Sequence, residues 1–265
     1  MNTMHAIVVN YIVACICGII AYTQPLNILE VPNFSWFYYT VVLGALFIIV
    51  FNLMALTTQR SGLSVVSVAT KMSVVIPIIF GLLYYKEDLG WYKAIGIILA
   101  LIAVYLASVK AKNGLKIKNK YLILPLLVFL GSGIIDTSIK FLEDSFLAKN
   151  DVPLFSATIF ASAAFIGIMI LAGQAARGKF EFELKNVLGG VLLGIPNYFS
   201  IYFLVQALRS DILDSSGIFT VNNVSIVMLS TLIGIILFEE KLLLKNWIGI
   251  FLAIVSIFLI ALSSW

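Results

Sequence analysis

Charge is what this chain has least of. Only 11% of its 265 residues are Asp, Glu, Lys or Arg, 62% are hydrophobic, and mean hydropathy is +1.08. Soluble domains carry about a quarter charged and roughly half apolar residues, so a water-soluble core could not absorb this much apolar surface. Lipid must be the solvent. Histidine is nearly absent: His5 alone assembles no metal-ligand cluster, and neither a metal site nor a cofactor is implied. The two cysteines, Cys15 and Cys17, lie two apart in one apolar run. On a helix that spacing sends them to different faces, which favours neither a disulfide nor a shared metal. Formal net charge is +4, but the basic residues sit almost wholly between apolar runs. That pattern reads as membrane topology and not as a nucleic-acid footprint. No Lys or Arg precedes the first apolar run, so Met1–His5 makes a poor secretory leader.

What is present is a series of long apolar runs. A spanning helix needs about 20 mainly apolar residues, and nine segments qualify: 6–23, 35–58, 62–85, 91–109, 121–142, 153–175, 186–208, 213–238 and 245–264. Polar or turn-forming stretches separate them, among them Arg60-Ser61-Gly62, Lys86-Glu87-Asp88 and Lys110 to Lys120. The expected fold is an all-α polytopic membrane protein. Continuous runs without period-2 alternation exclude an outer-membrane barrel.

The chain also repeats itself. A shift of 153 positions matches Gly81 with Gly234, Glu87 with Glu240, Leu89 with Leu242, and Ile95-Gly96-Ile97 with Ile248-Gly249-Ile250. Apolar matches arise by chance; Gly, Glu and Gly in register without a gap do not readily. Each half ends in a long helix, a short acidic turn and a Gly-bearing helix. This predicts a first repeat over 1–112 with four helices, a basic linker at 113–120, and a second repeat over 121–265 with five. The first repeat lacks a counterpart to helix 121–142, and Met1–Met4 reads as the tail of a linker following it. A truncated product, a misassigned start and a lineage that lost the helix are the readings of that gap.

Pro77-Ile-Ile-Phe-Gly-Leu-Leu-Tyr-Tyr-Lys-Glu87-Asp-Leu89 with Gly96, and Gly234-Ile-Ile-Leu-Phe-Glu-Glu240-Lys-Leu242 with Gly249, resemble the drug/metabolite transporter superfamily, EamA type. The resemblance covers essentially the whole chain on short motifs. It implies ten helices in two inverted repeats around a central cavity, one more helix than is counted here. Lys and Arg in alternate loops number eleven on the side of Arg60 and the 110–120 loop, and four on the other, Lys86, Lys93, Lys149 and Arg209. The positive-inside rule then puts the N-terminus and that loop in the cytoplasm, as in a bacterial inner membrane, with the C-terminus outside. The resemblance implies instead that both termini are cytoplasmic.

Charges at membrane depth are costly and usually face a cavity. Lys71 is the clearest case, ten residues into the 24-residue segment 62–85, with Thr70, Ser73 and Pro77 marking a polar, locally loosened stretch. It is a candidate to meet a substrate carboxylate or phosphate, or to carry a proton; the alternative is a structural lysine bonded to a neighbouring helix. Asp136 is either the acidic half of an i,i+4 pair with Lys140 or a cavity acid opposite Lys71. Asn222 and Asn223 lie in the helix that repeats the one bearing Lys71, and Asn197, Tyr198 and Tyr202 form a polar stripe in segment 186–208. Each group is either pathway-lining or interhelical glue, as are the weaker candidates Asn10 and Asn52. Glu87 and Glu240 read as structural turn residues that cap the following helix or pair with a nearby lysine. Trp36, Trp91, Trp247 and Trp265 read as interfacial anchors.

Together these point to a secondary transporter, an exporter or exchanger of a small metabolite such as an amino acid, with alternating access around Lys71. No G-x-x-x-x-G-K-[ST] motif appears, so a proton or substrate gradient is the expected energy source. An inactive or accessory membrane subunit is the alternative. A membrane-embedded enzyme is disfavoured, since neither H-E-x-x-H nor G-x-S-x-G occurs.

Overall fold

In the computed structural model the described residues are 3–25, 27–109, 122–178, 183–210, 212–239 and 242–262. Among them the helices are α1 (Thr3–Ala21), α2 (Phe37–Ser61), α3 (Leu63–Met72), α4 (Val75–Tyr84), α5 (Trp91–Ser108), α6 (Ile123–Phe146), α7 (Val152–Ala176), α8 (Leu184–Leu208), α9 (Ser215–Phe238) and α10 (Leu244–Leu262). With α3 and α4 taken as one crossing, nine spans among the described residues are long and apolar enough to cross a membrane. The basic linker at 113–120, Glu240 and Trp265 lie outside the described residues.

Two boundaries differ from expectation for local reasons. Segment 62–85 is a broken helix, because Pro77 has no N–H to give to the Ser73 carbonyl. The Ile76 N–H takes that carbonyl instead, at 2.9 Å, in a tighter turn. The helix expected to end at 142 continues to Phe146, where Glu143 and Asp144 reach back to Lys140 at 2.9 and 3.8 Å. Between α2 and α3 the chain reverses on Gly62 at φ +94°, a conformation that costs glycine little.

The contacts divide the chain into two units, Met1–Asn52 with Ser138–Arg209, and Leu53–Thr137 with Ser210–Trp265. Each draws helices from both halves of the sequence. In the first, α1 packs on α8 through Gly190 and Gly194. A Cβ at 190 would lie 2.5 Å from Val9 Cβ, and one at 194 would lie 2.7 Å from the Asn10 carbonyl oxygen. Lipid tails are as apolar as leucine, so close backbone approach through small residues is what holds membrane helices together. The interior is aromatic: Tyr11 lies fully buried between Phe51 and Phe160, at ring distances of 5.8 and 6.0 Å.

In the second unit α5, α9 and α10 share a core of Ala100, Ala103, Val104, Ala107, Val224, Val227 and Ala253. Here the repeat becomes geometric. A Cβ on Gly96 would meet Ile260 at 2.7 Å and the Ser256 carbonyl at 3.2 Å. One on Gly249 would meet the Ala107 N–H at 2.7 Å and the Ala103 carbonyl at 2.9 Å. The 153-residue shift carries Gly96 to Gly249, Ala103 to Ser256 and Ala107 to Ile260, so the α5–α10 crossing is one contact made twice. The acidic turns match as well: Lys86 (φ 53°) and Glu239 (φ 50°), equivalent under the same shift, both adopt the left-handed conformation.

Candidate functional site

The second unit brings two opposite charges to the helix break. Thr70 Oγ donates to the Val66 carbonyl at 2.9 Å and Ser73 Oγ to the Thr70 carbonyl at 2.6 Å, so both hydroxyls serve the loosened end of α3 itself. Lys71 lies between them. Gly133 lets α6 lie directly against Ile76, at the start of α4. Asp136 follows within one turn, close enough to Lys71 for the two charges to interact. They do so without a direct salt bridge, whereas Lys93, Lys140 and Arg209 each have a carboxylate within 4 Å.

Lys140 does not serve as the partner of Asp136 that an i,i+4 spacing suggests. Its ammonium turns the other way along α6, to Glu143. Arg209 completes that cluster, 3.8 Å from Glu143 and donating to the Leu147 carbonyl at 2.8 Å. On α9, buried Asn223 donates to the Phe219 carbonyl of its own helix at 3.0 Å, and Asn222 beside it is half-buried.

The stripe on α8 belongs to the first unit. Asn197 donates to the Asn10 side chain at 3.2 Å, tying α8 to α1. Asn52 donates within α2, to the Ile48 carbonyl at 2.7 Å. Tyr198 is fully buried beside Gly18, with Tyr202 stacked 5.8 Å away. An apolar cavity of about 540 Å³ also lies in this unit, lined by Cys15, Ile19, Phe37, Val41, Leu154 and Phe165 among others. Thr158, on its wall, spends its hydroxyl on the Leu154 carbonyl at 2.7 Å. The cavity therefore offers a polar solute little to bind.

A second polar cluster was legible only at Glu87. The Glu87 carboxylate accepts the backbone N–H groups of Ser215 (2.9 Å) and Ser216 (3.1 Å), together with both serine hydroxyls. It thus caps α9, not the α5 helix that follows it. Lys93, 3% exposed, pairs with Asp214, lies 3.6 Å from Glu87 and donates to the Asp88 carbonyl at 3.0 Å. By position Lys93 counted as a loop cation. The available signal was that it falls two residues inside an apolar run. Burial raises the Glu87 pKa, but the hydrogen bonds from Ser215 and Ser216, with the charge of Lys93, outweigh that and hold it below the usual carboxylate range. Trp36 also departs from expectation: it is buried, stacked 4.8 Å from Phe34 and edge-on to Phe155, while Trp91 and Trp247 are exposed.

Among the described residues, nine apolar spans and a broken helix define a polytopic membrane protein. Residues 1–109 match the EamA-like transporter family. The chain is 29% identical over 219 residues, 82% of its length and 73% of the other's, to an uncharacterized protein of Haemophilus influenzae. Over residues 1–109 it resembles the EamA-type permeases of the drug/metabolite transporter superfamily, a family made up of membrane transporters of small molecules and not of enzymes. A solved crystal structure of another protein has the same fold, with TM-score 0.76 at 12% identity, covering 100% of this chain and 88% of that one.

Proposed function

We propose that the protein is a secondary transporter, an exporter or exchanger of a small metabolite such as an amino acid, in the cytoplasmic membrane of a bacterium. The observation that carries this reading is the broken helix inside the spans, with Lys71 at the end of α3 and Asp136 on α6 within one turn of the Gly133–Ile76 contact. Discontinuous helices at mid-membrane are where transporters place substrate and coupling-ion sites. An ammonium that interacts with a carboxylate without contacting it can exchange that partner for a substrate carboxylate. Asp136 can then take a substrate ammonium or a proton, which couples transport to a proton gradient. Thr70 and Ser73 keep the break in shape, and Asn222 and Asn223, with Asn197, Tyr198 and Tyr202, extend the proposed set of pathway residues.

The test is exchange of the twenty radiolabelled L-amino acids in proteoliposomes, with and without an imposed pH gradient. Lys71→Ala and Asp136→Asn are each expected to lower exchange at least tenfold. Undiminished exchange by Lys71→Ala would remove that residue from the site. Absence of any exchange by the unaltered chain would favour an accessory membrane subunit.

A further inference from the structure

We propose that Gly133 and Ile76 are positioning residues for this site: their contact sets the separation of Lys71 and Asp136. The inference rests on the assignment of those two charges to transport. A Cβ at position 133 would lie 2.3 Å from Ile76 Cδ1, 2.8 Å from its Cβ and 2.9 Å from Cγ1. The Cδ1 methyl can rotate aside, but the Cβ is fixed to the backbone of α4. Any side chain at 133 therefore drives α6 and α4 apart.

Both ends of this contact are tied to the site. Ile76 is the first residue past the break whose N–H has been redirected, to the Ser73 carbonyl at 2.9 Å, so its place depends on the break next to Lys71. On α6, Asp136 is within one turn of Gly133, and the Thr137 hydroxyl is turned back onto the Gly133 carbonyl at 2.7 Å. The attraction between two charges varies inversely with their separation and is strongest where the dielectric is low. A shift of the helices at this point acts directly on the pair.

The experiment compares the full chain with Gly133→Ala and with Gly133→Ala/Ile76→Gly in the amino-acid exchange assay, beside Lys71→Ala. Gly133→Ala should raise the apparent KM for the exchanged amino acid at least tenfold, and the double variant should recover most of that loss, because glycine at 76 removes the Cβ that the new methyl meets. Wild-type kinetics in Gly133→Ala, or a double variant as impaired as the single one, would overturn the inference. Loss of exchange in Lys71→Ala alongside normal exchange in Gly133→Ala would overturn the positioning role alone. Normal exchange in Lys71→Ala would overturn the functional assignment beneath it. A readout independent of any substrate keeps the geometry testable: Lys71→Cys and Asp136→Cys, with Cys15 and Cys17 replaced by Ser, joined by a short bismaleimide. Gly133→Ala should slow that cross-link at least tenfold and Ile76→Gly should restore it; an unchanged rate refutes the positioning.

Discussion

Glu87 accepts the backbone N–H of Ser216 at 3.1 Å across 129 residues of chain, so a turn in the first half of the sequence caps a helix of the second. The contact needs Gly81, where a Cβ would fall 2.9 Å from Ser215 Oγ and 3.0 Å from the Glu87 carboxyl carbon. The capping carboxylate meets the positive end of the α9 dipole, and the buried ammonium of Lys93 balances it.

Removing that ammonium should be costly. Lys93→Met would leave Glu87 and Asp214 without their shared ammonium; breaking a fully buried pair from one side costs about 3–5 kcal/mol, and solvent at the 38% exposed Asp214, with the serine hydrogen bonds to Glu87, brings the loss below that range. The expected outcome is a clear fall in thermal stability in detergent. A melting temperature equal to that of the parent chain would refute the account of this cluster.

The same cluster sets a pH dependence. Because the folded pKa of Glu87 lies below its unfolded value, its stabilisation is complete above the unfolded pKa and is lost as pH falls through the folded one. Glu87→Gln should therefore be less stable than the parent at neutral pH, with the gap closing as the medium is acidified below the usual carboxylate range. Melting curves of the two proteins against pH measure this; a gap that widens on acidification contradicts the assigned shift.

Gly194→Ala tests the α1–α8 crossing. Its new methyl would lie 2.7 Å from the Asn10 carbonyl oxygen, a backbone atom that cannot rotate away, and overpacking of this kind costs about 1–3 kcal/mol. Thermal unfolding should register the loss. Gly173→Ala is the control, since nothing lies within 4 Å of a Cβ there. Equal stability of the two variants would show that the crossing is not tight.

Asn197→Leu removes the hydrogen bond to Asn10. Interhelical hydrogen bonds in membranes contribute about 0.6–2 kcal/mol, so a modest loss of stability is expected. If Asn197 lines the pathway as well, exchange falls more than stability does. A variant unchanged in both would leave the bond without consequence.

How much of this was readable beforehand varies by residue. Gly96 and Gly249 were found as matched letters, and their meaning, one antiparallel crossing seen from both sides, needed the coordinates of α5 and α10. Pro77 announced a loosened helix, although which carbonyl lost its donor and which N–H replaced it depends on the backbone path. Lys93 and Lys140 misled in opposite ways. A charge near a helix end is assigned to the loop by position alone, and an i,i+4 spacing offers a partner without showing which rotamer is taken.

Composition and apolar run length determined that this is a polytopic membrane protein, because lipid admits only elements that satisfy their own backbone hydrogen bonds and a helix does so locally. The shift of 153 residues determined that it is built twice. Neither decides which side chains meet. Glu87 on Ser215 and Ser216, Asn197 on Asn10 and Gly133 on Ile76 join residues far apart in the chain. Such contacts depend on how the helices cross, and the crossings follow from where glycine lets two backbones approach.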